Sequence, residues 1–455
     1  MSNMRIQLDY NCEYQTFEGF GASGAWWAQE VGGWEQTDES SAVSVRDRIS
    51  RLLFSKTEGI GLRTYRYNLG AGSKESGRGN IDNPLRRAEC FETAEGVYDF
   101  DKDKNAVYML RQAVKDGADE VIFFVNSPIE RLTENGLSHC SKAFKENLSK
   151  KNYAPFAKYV LDVTEHFINE GIPVKYISPI NEPLWVWKGG QEGCHYSPKS
   201  CAEVLRVFAQ EAEKRSALDG VLLSGLENGD IRWYNKSYTR ALMKYEGVRE
   251  RVDGVDLHSY FLHPVNLPFF KRTDYLKRYR RWLDKKYPLL PVRISEWTHM
   301  RGKRDKGMNS ALETAKIIYE DISFLNVTSW QHWIAVSEVD YCDGLIYINL
   351  EDKSYEMTKR YYVTGNFSKY IPYGAIRFKT DCEDKSLKTL GFKKDGKTVI
   401  IVINDGKNSK ALSFPENTVQ VVTDKKDSLA EYKLEDGRAE ITPESVNTFI
   451  FEKGK

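Results

Sequence analysis

Two glutamates stand where they could do chemistry. Glu182 follows Asn181 at the end of an apolar run in ISPINEPLW, and Glu296 follows Ser295 at the end of another in RISEWTHM. A pair of carboxyl groups across one cleft is what glycoside hydrolysis requires. One protonates the leaving oxygen, and the other attacks the anomeric carbon or activates water. The chain has 65 acidic residues, most of which must be solvated surface groups, so acidity alone selects nothing. What selects this pair is that both sit at strand ends, where a parallel barrel carries its catalytic side chains.

Other groups would support that pair. His258 lies two residues before Tyr260 and, by strand alternation, on the same side, either as polar support in the mouth or as a satisfied core histidine. Trp26, Trp27, Trp185, Trp187, Trp297, Trp330 and Trp333 fall at or just past strand ends. Indole rings there can be packing or can stack on pyranose faces. Trp185 and Trp330 are the candidate sugar platforms, with Trp187 beside Trp185 on the leaving-group side. Rival chemistries find little. GASGA at 21–25 is one residue short of a nucleophile elbow. Cys194-His195 with Cys201 lacks metal-ligand spacing, and His258 and His263 lie on a strand and its loop. No cofactor and no metal is implied.

Positioning two carboxylates across a mouth needs a closed scaffold, and the pattern supplies one. Short β-branched or aromatic runs at Phe17–Ala25, Leu62–Leu69, Val121–Asn126, Val174–Asn181, Val221–Leu226, Val255–Tyr260, Val292–Trp297 and Val327–Trp333 alternate with helical stretches. In the helix at 155–171, Phe156, Tyr159, Val160, Val163 and Phe167 form one apolar stripe that Gly171 stops. Eight such β/α units predict an α/β fold, a (β/α)8 TIM barrel. After Pro372 the texture becomes two-residue alternation with Asp395-Gly396 and Asp436-Gly437 at hairpin positions. The expectation is a catalytic barrel over 17–370 and a small antiparallel β-sandwich side domain built from 371–455 plus 1–16.

Composition narrows the partners. Lys and Arg number 66 against 65 Asp and Glu, interspersed, which argues against nucleic acid or an anionic membrane surface. The cysteine count, 7, is odd, with no Cys-x-x-Cys, so neither a disulfide framework nor a zinc site is expected. The opening MSNMRIQLDY has no apolar h-region. The expected location is cytoplasmic, or secreted if an export segment has been removed, and the expected partner is an oligosaccharide or polysaccharide; nothing indicates the oligomeric state.

Taken together, the motifs resemble glycoside hydrolase family 30, retaining β-glycosidases of a large (β/α)8 clan, over nearly the whole chain. FEGFGASGA is similar to that family's first strand and GIGLRTYRYNLG to its second. VNSPIERLTENG resembles the third, ISPINEPLW the acid/base strand, VDLHSYF the sixth, ISEW the nucleophile strand and SWQHWIAV the eighth. The resemblance implies Glu182 as general acid/base, Glu296 as nucleophile, and Arg66, Asn181 and Tyr260 as the groups that orient and charge-stabilise them. Physically, Asn181 can donate to a sugar 2-hydroxyl, and Arg66 and Tyr260 can hydrogen-bond the Glu296 carboxylate. NEPLWVWKGGQEGCHYSP and SEVDYCDGLIYIN look most like the family's β-1,6-galactanase group. The substrate implied is therefore β-1,6-galactan or its oligosaccharides. The alternatives are β-glucosidase or glucosylceramidase, β-1,6-glucanase or xylanase within the family, and an inactive carbohydrate-binding barrel outside it. GNFSKYIPYGAIRF has Tyr-Gly where the family often has Pro-Gly, a departure that touches side-domain packing only.

Overall fold

Strands buried on both faces need near-continuous apolar runs, and runs such as VIFF become the staves of one parallel sheet. The computed structural model describes residues 4–232, 234–245, 247–261 and 271–452, so His263 lies outside the described residues. Within them the staves are Gly19–Ser23, Thr64–Asn68, Glu120–Phe124, Val174–Ser178, Leu222–Leu223 continued by Leu226–Asn228, Val255–His258, Val292–Trp297 and Ser329–Ile334. The sheet begins at Leu222–Leu223, passes through the fourth, third, second, first, eighth, seventh and sixth staves, and ends at Leu226–Asn228. Both ends belong to the fifth stave, which is the signature of a closed (β/α)8 barrel.

Alternation sorts the side chains. On Thr64–Asn68, Arg66 lies with its guanidinium 4.4 Å from the Phe124 ring centroid, while Tyr67 meets Phe123 and Phe167. Phe167 closes the apolar stripe of helix Tyr153–Asn169, whose Phe156, Tyr159, Val160 and Val163 are likewise buried. Each such side chain contributes roughly 1.5–3 kcal/mol by leaving water. Gly171 ends the helix at φ 92°, a left-handed conformation that glycine adopts without strain.

The fifth stave departs from the single run expected at Val221–Leu226. It breaks at Ser224-Gly225, where the Ser224 amide donates to Ile177 on one neighbour and the Asp256 amide donates to Gly225 on the other. The Asp256 carboxylate accepts from the Gly225 amide. A side chain thus replaces a ladder bond, and the strand resumes at the next residue as Leu226–Asn228.

Two compact units make up the chain: Ala22–Ser50 with Thr64–Trp297, and Met1–Gly21 with Arg51–Arg63 and Thr298–Lys455. The second contains a nine-stranded β structure in which Met4–Phe17 pairs antiparallel with Ala375–Cys382 and, at its start, parallel with Lys410–Ser413. Its core gathers Phe378, Leu387, Ile400, Val402, Leu412, Ile441, Phe449 and Phe451, with Ile6, Leu8 and Tyr10 packed against them. This is the β-rich side domain. Among the described residues no helix is long and apolar enough to cross a membrane.

Candidate active site

Glu182 lies four residues beyond the end of the fourth stave, at φ 43°, a left-handed conformation that costs a non-glycine residue about 1 kcal/mol or more. Three backbone contacts fix that turn. The Glu182 amide donates to Glu227 O at 2.9 Å, and Glu182 O accepts from the Trp185 amide and the Trp187 indole N–H, each at 3.0 Å. Glu296 is the fifth residue of Val292–Trp297 and is 5 % exposed. Its place depends on an irregularity in the sheet. Leu257 pairs with Ile294, yet the next residue, His258, pairs with Glu296 rather than Ser295. Such a bulge re-aims side chains at a barrel rim. Here it leaves both Ser295 and Glu296 pointing at partners in the mouth.

Of the expected support residues, Arg66, Tyr260 and His258 converge on these two carboxyl groups, and Asn181 does not touch them. Tyr260 donates its hydroxyl to Glu296 Oε1 at 2.9 Å, and Arg66 Nη1 reaches Glu296 Oε2 at 3.3 Å. His258, fully buried, places Nδ1 2.9 Å from Glu182 Oε1 and 3.3 Å from Glu296 Oε1. A carboxylate oxygen of Glu182, another of Glu296 and a ring nitrogen of His258 all lie within 4.8 Å of one another. Asn181 is buried and donates to Asn126 Oδ1 at 3.1 Å, while Asn126 donates to Asn68 at 3.0 Å. Amides from three successive stave ends thus form a chain, and the Asn181 Oδ1 atom at its head has no hydrogen-bond partner among the described residues.

One member of the cluster escaped the sequence reading. Glu227, in the fifth stave, is 1 % exposed, and Oε1 accepts from Ser178 and Ser224 at 2.8 Å each. Its Oε2 accepts from His258 Nε2 at 3.0 Å and from the Ser295 hydroxyl, with Arg66 Nη2 at 3.8 Å. The strand expected to end at Leu226 stops one residue short of it. The only local signal is an acidic residue just past that strand, between Gly225 and Gly229. Gly229 matters as well: a Cβ there would lie 2.5 Å from Glu182 Oε1.

Burial and charge act against each other throughout. Burial alone would raise the Glu227 carboxyl, but Arg66, His258 and Ser295 hold it far below the usual carboxylate range. Burial alone would lower the His258 imidazole, but the charge of Glu296 and the hydrogen bonds to Glu182 and Glu227 raise it to about 10. The Glu296 carboxyl is raised by burial; His258 opposes that, Glu182 adds to it, and Arg66 and Tyr260 oppose it. Burial pushes the Tyr260 phenol well up, so it remains a donor.

The tryptophans divide differently from the expectation. Trp185 is 53 % exposed, on the turn directly after Glu182. Trp187 is buried, gives its N–H to Glu182 O, and packs so closely on Gly193 that a Cβ there would lie 2.2 Å from its ring. It braces the turn and presents no open face. Trp330 is 0 % exposed and donates its N–H to Asp321 at 3.0 Å, so the sugar platform expected there is corrected to a packing role. Behind the turn, the buried Glu192 accepts from the amides of Ala71 and Ser73 and from the Ser73 hydroxyl, tying the loops after the second and fourth staves together. A separate cavity of about 390 Å³ is lined by Glu75, Cys90, Glu92, Lys102 and Arg131, among others. Within it Glu75 pairs with Lys102 and Glu92 with Arg131, its Glu130 pairs with Arg78, and none of the site residues lines it.

Comparison with known proteins follows the same lines. Residues 3–242 and 278–347 match the family model described as O-glycosyl hydrolase family 30. An endo-β-1,6-galactanase from Hypocrea rufa is 24% identical over 401 residues, covering 81% of this chain and 75% of that protein. A conserved exported protein from Bacteroides fragilis superposes with a TM-score of 0.85 at 22% identity, over 98% of this chain and 100% of that one. The catalytic domain of a family 30 xylanase C from Talaromyces cellulolyticus does so with a TM-score of 0.73 at 18% identity, over 99% of this chain and 100% of that one. At these identities the two structures speak to the fold.

Proposed function

Since the chain belongs to glycoside hydrolase family 30 and is an O-glycosyl hydrolase, we propose that it cleaves β-linked galactosides, β-1,6-galactan or its oligosaccharides, with retention of configuration. The observation that carries the mechanism is the close approach of Glu182 and Glu296: a carboxylate oxygen of each and a ring nitrogen of His258 lie within 4.8 Å of one another. Retaining enzymes hold their carboxyl groups ~5–5.5 Å apart, whereas inverting enzymes leave ~6.5–9.5 Å for a water. In the first step a Glu296 oxygen attacks the anomeric carbon as the bond to the leaving oxygen breaks and Glu182 delivers its proton there. In the second, water attacks the same carbon, Glu182 takes the water's proton, and the ester to Glu296 breaks. Arg66 and Tyr260 aim the nucleophile, and Asn181 faces the sugar 2-hydroxyl, a contact that strengthens as positive charge develops on the ring. Trp185, exposed beside Glu182, meets the leaving-group sugar.

The galactan assignment is supported by the Hypocrea rufa relative and by the loop that follows Glu182. It is tested by incubating the purified protein with β-1,6-galacto-oligosaccharides and with p-nitrophenyl β-galactoside, β-glucoside and β-xyloside, following the first-formed anomer by proton NMR. The expected result is cleavage of the galacto-oligosaccharides with the β-anomer appearing first. An α-anomer would overturn the mechanism. Efficient cleavage of glucosides or xylosides with galacto-oligosaccharides untouched would overturn the substrate.

A further inference from the structure

The general acid and the nucleophile exchange charge during such a reaction. Before the first step Glu296 is the anion and Glu182 is protonated; afterwards Glu296 is a neutral ester and Glu182 is the anion. A donor fixed on one of them alone would favour one half of the cycle and oppose the other. His258 Nδ1 stands 2.9 Å from Glu182 Oε1 and 3.3 Å from Glu296 Oε1, close enough to serve either without moving the ring. Its other nitrogen is held 3.0 Å from Glu227 Oε2, and Glu227 is in turn fixed by Ser178, Ser224 and Ser295 from three different staves.

We propose that Glu227 is a positioning residue for this reaction: by holding Nε2 of His258 it keeps the Nδ1–H aimed between Glu182 and Glu296, so that one donor stabilises whichever of the two is charged. The groups facing the ring support this. Glu182, Glu227 and Glu296 all offer oxygens, and no acceptor is gained by a neutral ring, so both ring nitrogens carry protons. The cations and other donors nearby are Arg66 on the second stave and Tyr260 just past the sixth, and both turn toward Glu296. Through the first step the sum of charge over Glu182, Glu227, Glu296, His258 and Arg66 is unchanged. Only its location moves, from Glu296 to Glu182, and Glu227 supplies the negative charge that remains constant. Burial to 1 % and four hydrogen-bond donors make it a fixed anion rather than a third participant.

The role rests on the hydrolase mechanism above, and its test has a part that does not. With selective ¹⁵N-histidine labelling, and His258 assigned by the signal lost in His258→Gln, the parent protein should show an imidazolium with both nitrogens protonated up to about pH 9, consistent with a ring raised to about 10. Glu227→Gln should lower the titration of that ring by roughly one to three pH units. The alkaline limb of kcat/KM should follow it downward, and kcat should fall roughly ten- to a hundredfold with KM little changed. Glu227→Asp, which keeps the charge, should restore the position of the limb. A Glu227→Gln profile that superimposes on the parent while only thermal stability falls would reduce Glu227 to a structural role. A neutral His258 at pH 7 in the parent would overturn the proposal without any variant having to fold. If no glycoside were cleaved at all, the hydrolase reading would fail while the ¹⁵N titration still decided the Glu227–His258 pairing.

Discussion

Three carboxyl groups, Glu227 and Glu296 buried and Glu182 partly exposed, share two buried cations, Arg66 and His258. Buried charges are costly unless each is met by partners of good geometry, so removing one should cost more than its own contacts. For the reacting pair the two losses differ in kind. Glu296→Ala removes the atom that bonds to the sugar and should abolish turnover on every substrate. Glu182→Ala removes the proton donor of the first step and the base of the second, so aryl glycosides whose leaving groups need no proton should still be attacked, and the ester should then await a nucleophile that needs no base. General acid catalysis is worth roughly 10²–10⁴-fold, which is the loss expected on unactivated substrates. Added azide should rescue Glu182→Ala by entering the space the carboxylate vacates, and indistinguishable profiles for the two variants would mean the roles are misassigned. At this scale the legible residues were those in distinctive local words, Asn181-Glu182-Pro183 and Ser295-Glu296-Trp297. Glu227 was not, because nothing in its neighbourhood reveals that Ser178, His258 and Ser295 from distant segments will join Ser224 around it. Trp330 misled for the converse reason: a strand-end indole looks the same in sequence whether its face is open or enclosed.

At the scale of elements, the staves were readable because double-sided burial imposes unbroken apolar runs, and the helix at Tyr153–Asn169 because its stripe keeps helical spacing. What periodicity cannot express is a break in it. The fifth stave divides at Gly225, and the step in register between Leu257 and His258 turns Glu296 toward Tyr260 and Arg66. Both irregularities lie where the reacting groups are aimed, as expected if strand ends are shaped for chemistry at some expense of regular pairing. Gly229, just past the fifth stave, offers a way to probe that aim. An alanine Cβ there would lie 2.5 Å from Glu182 Oε1 and 2.7 Å from its Cδ, the mobile end of a side chain rather than backbone. Gly229→Ala should therefore fold with little change in Tm while displacing the Glu182 carboxyl from His258. A shift of about 1 Å in a catalytic group can cost roughly a hundredfold in kcat. Galacto-oligosaccharides, which need protonation, should feel it more than activated aryl glycosides. A large fall in Tm with unaltered kcat would show that the glycine serves the fold instead.

At the scale of the whole chain, the first described strand closes a structure whose other members come hundreds of residues later. Met4–Phe17 lies between Ala375–Cys382 and Lys410–Ser413 in sheet order, pairing Ile6 with Cys382, Leu8 with Thr380 and Met4 with Leu412. The alternation in MRIQLDY was legible, but which strands it would join was not, because pairing partners leave no mark on a single strand's own pattern. Its removal has consequences that can be reckoned. Without residues 1–12, Lys379–Cys382 and Leu412–Ser413 would lose their partners on that side and face solvent with unpaired amides and carbonyls, and exposed edges of that kind invite intermolecular pairing. Ile6, Leu8 and Tyr10 would no longer cover Phe378, Ile400 and Phe449. Full burial of such a side chain is worth roughly 1.5–3 kcal/mol; these three are partly buried, so losing them together costs on the order of a few kcal/mol, a sizeable share of the whole stability of many domains. A protein lacking residues 1–12 should therefore melt markedly earlier by calorimetry. It should form soluble aggregates by size-exclusion chromatography and exchange the amides of Lys379–Cys382 much faster with deuterium. The single change Leu8→Asp should move all three measurements in the same direction by placing a charge against the apolar core while leaving the backbone pairing possible. Unchanged melting and exchange in the shortened protein would mean that the sheet is held by the pairs that remain, Glu13–Phe17 with Ala375–Phe378 and Ile376–Phe378 with Gly391–Lys393, and that residues 4–12 add little to it.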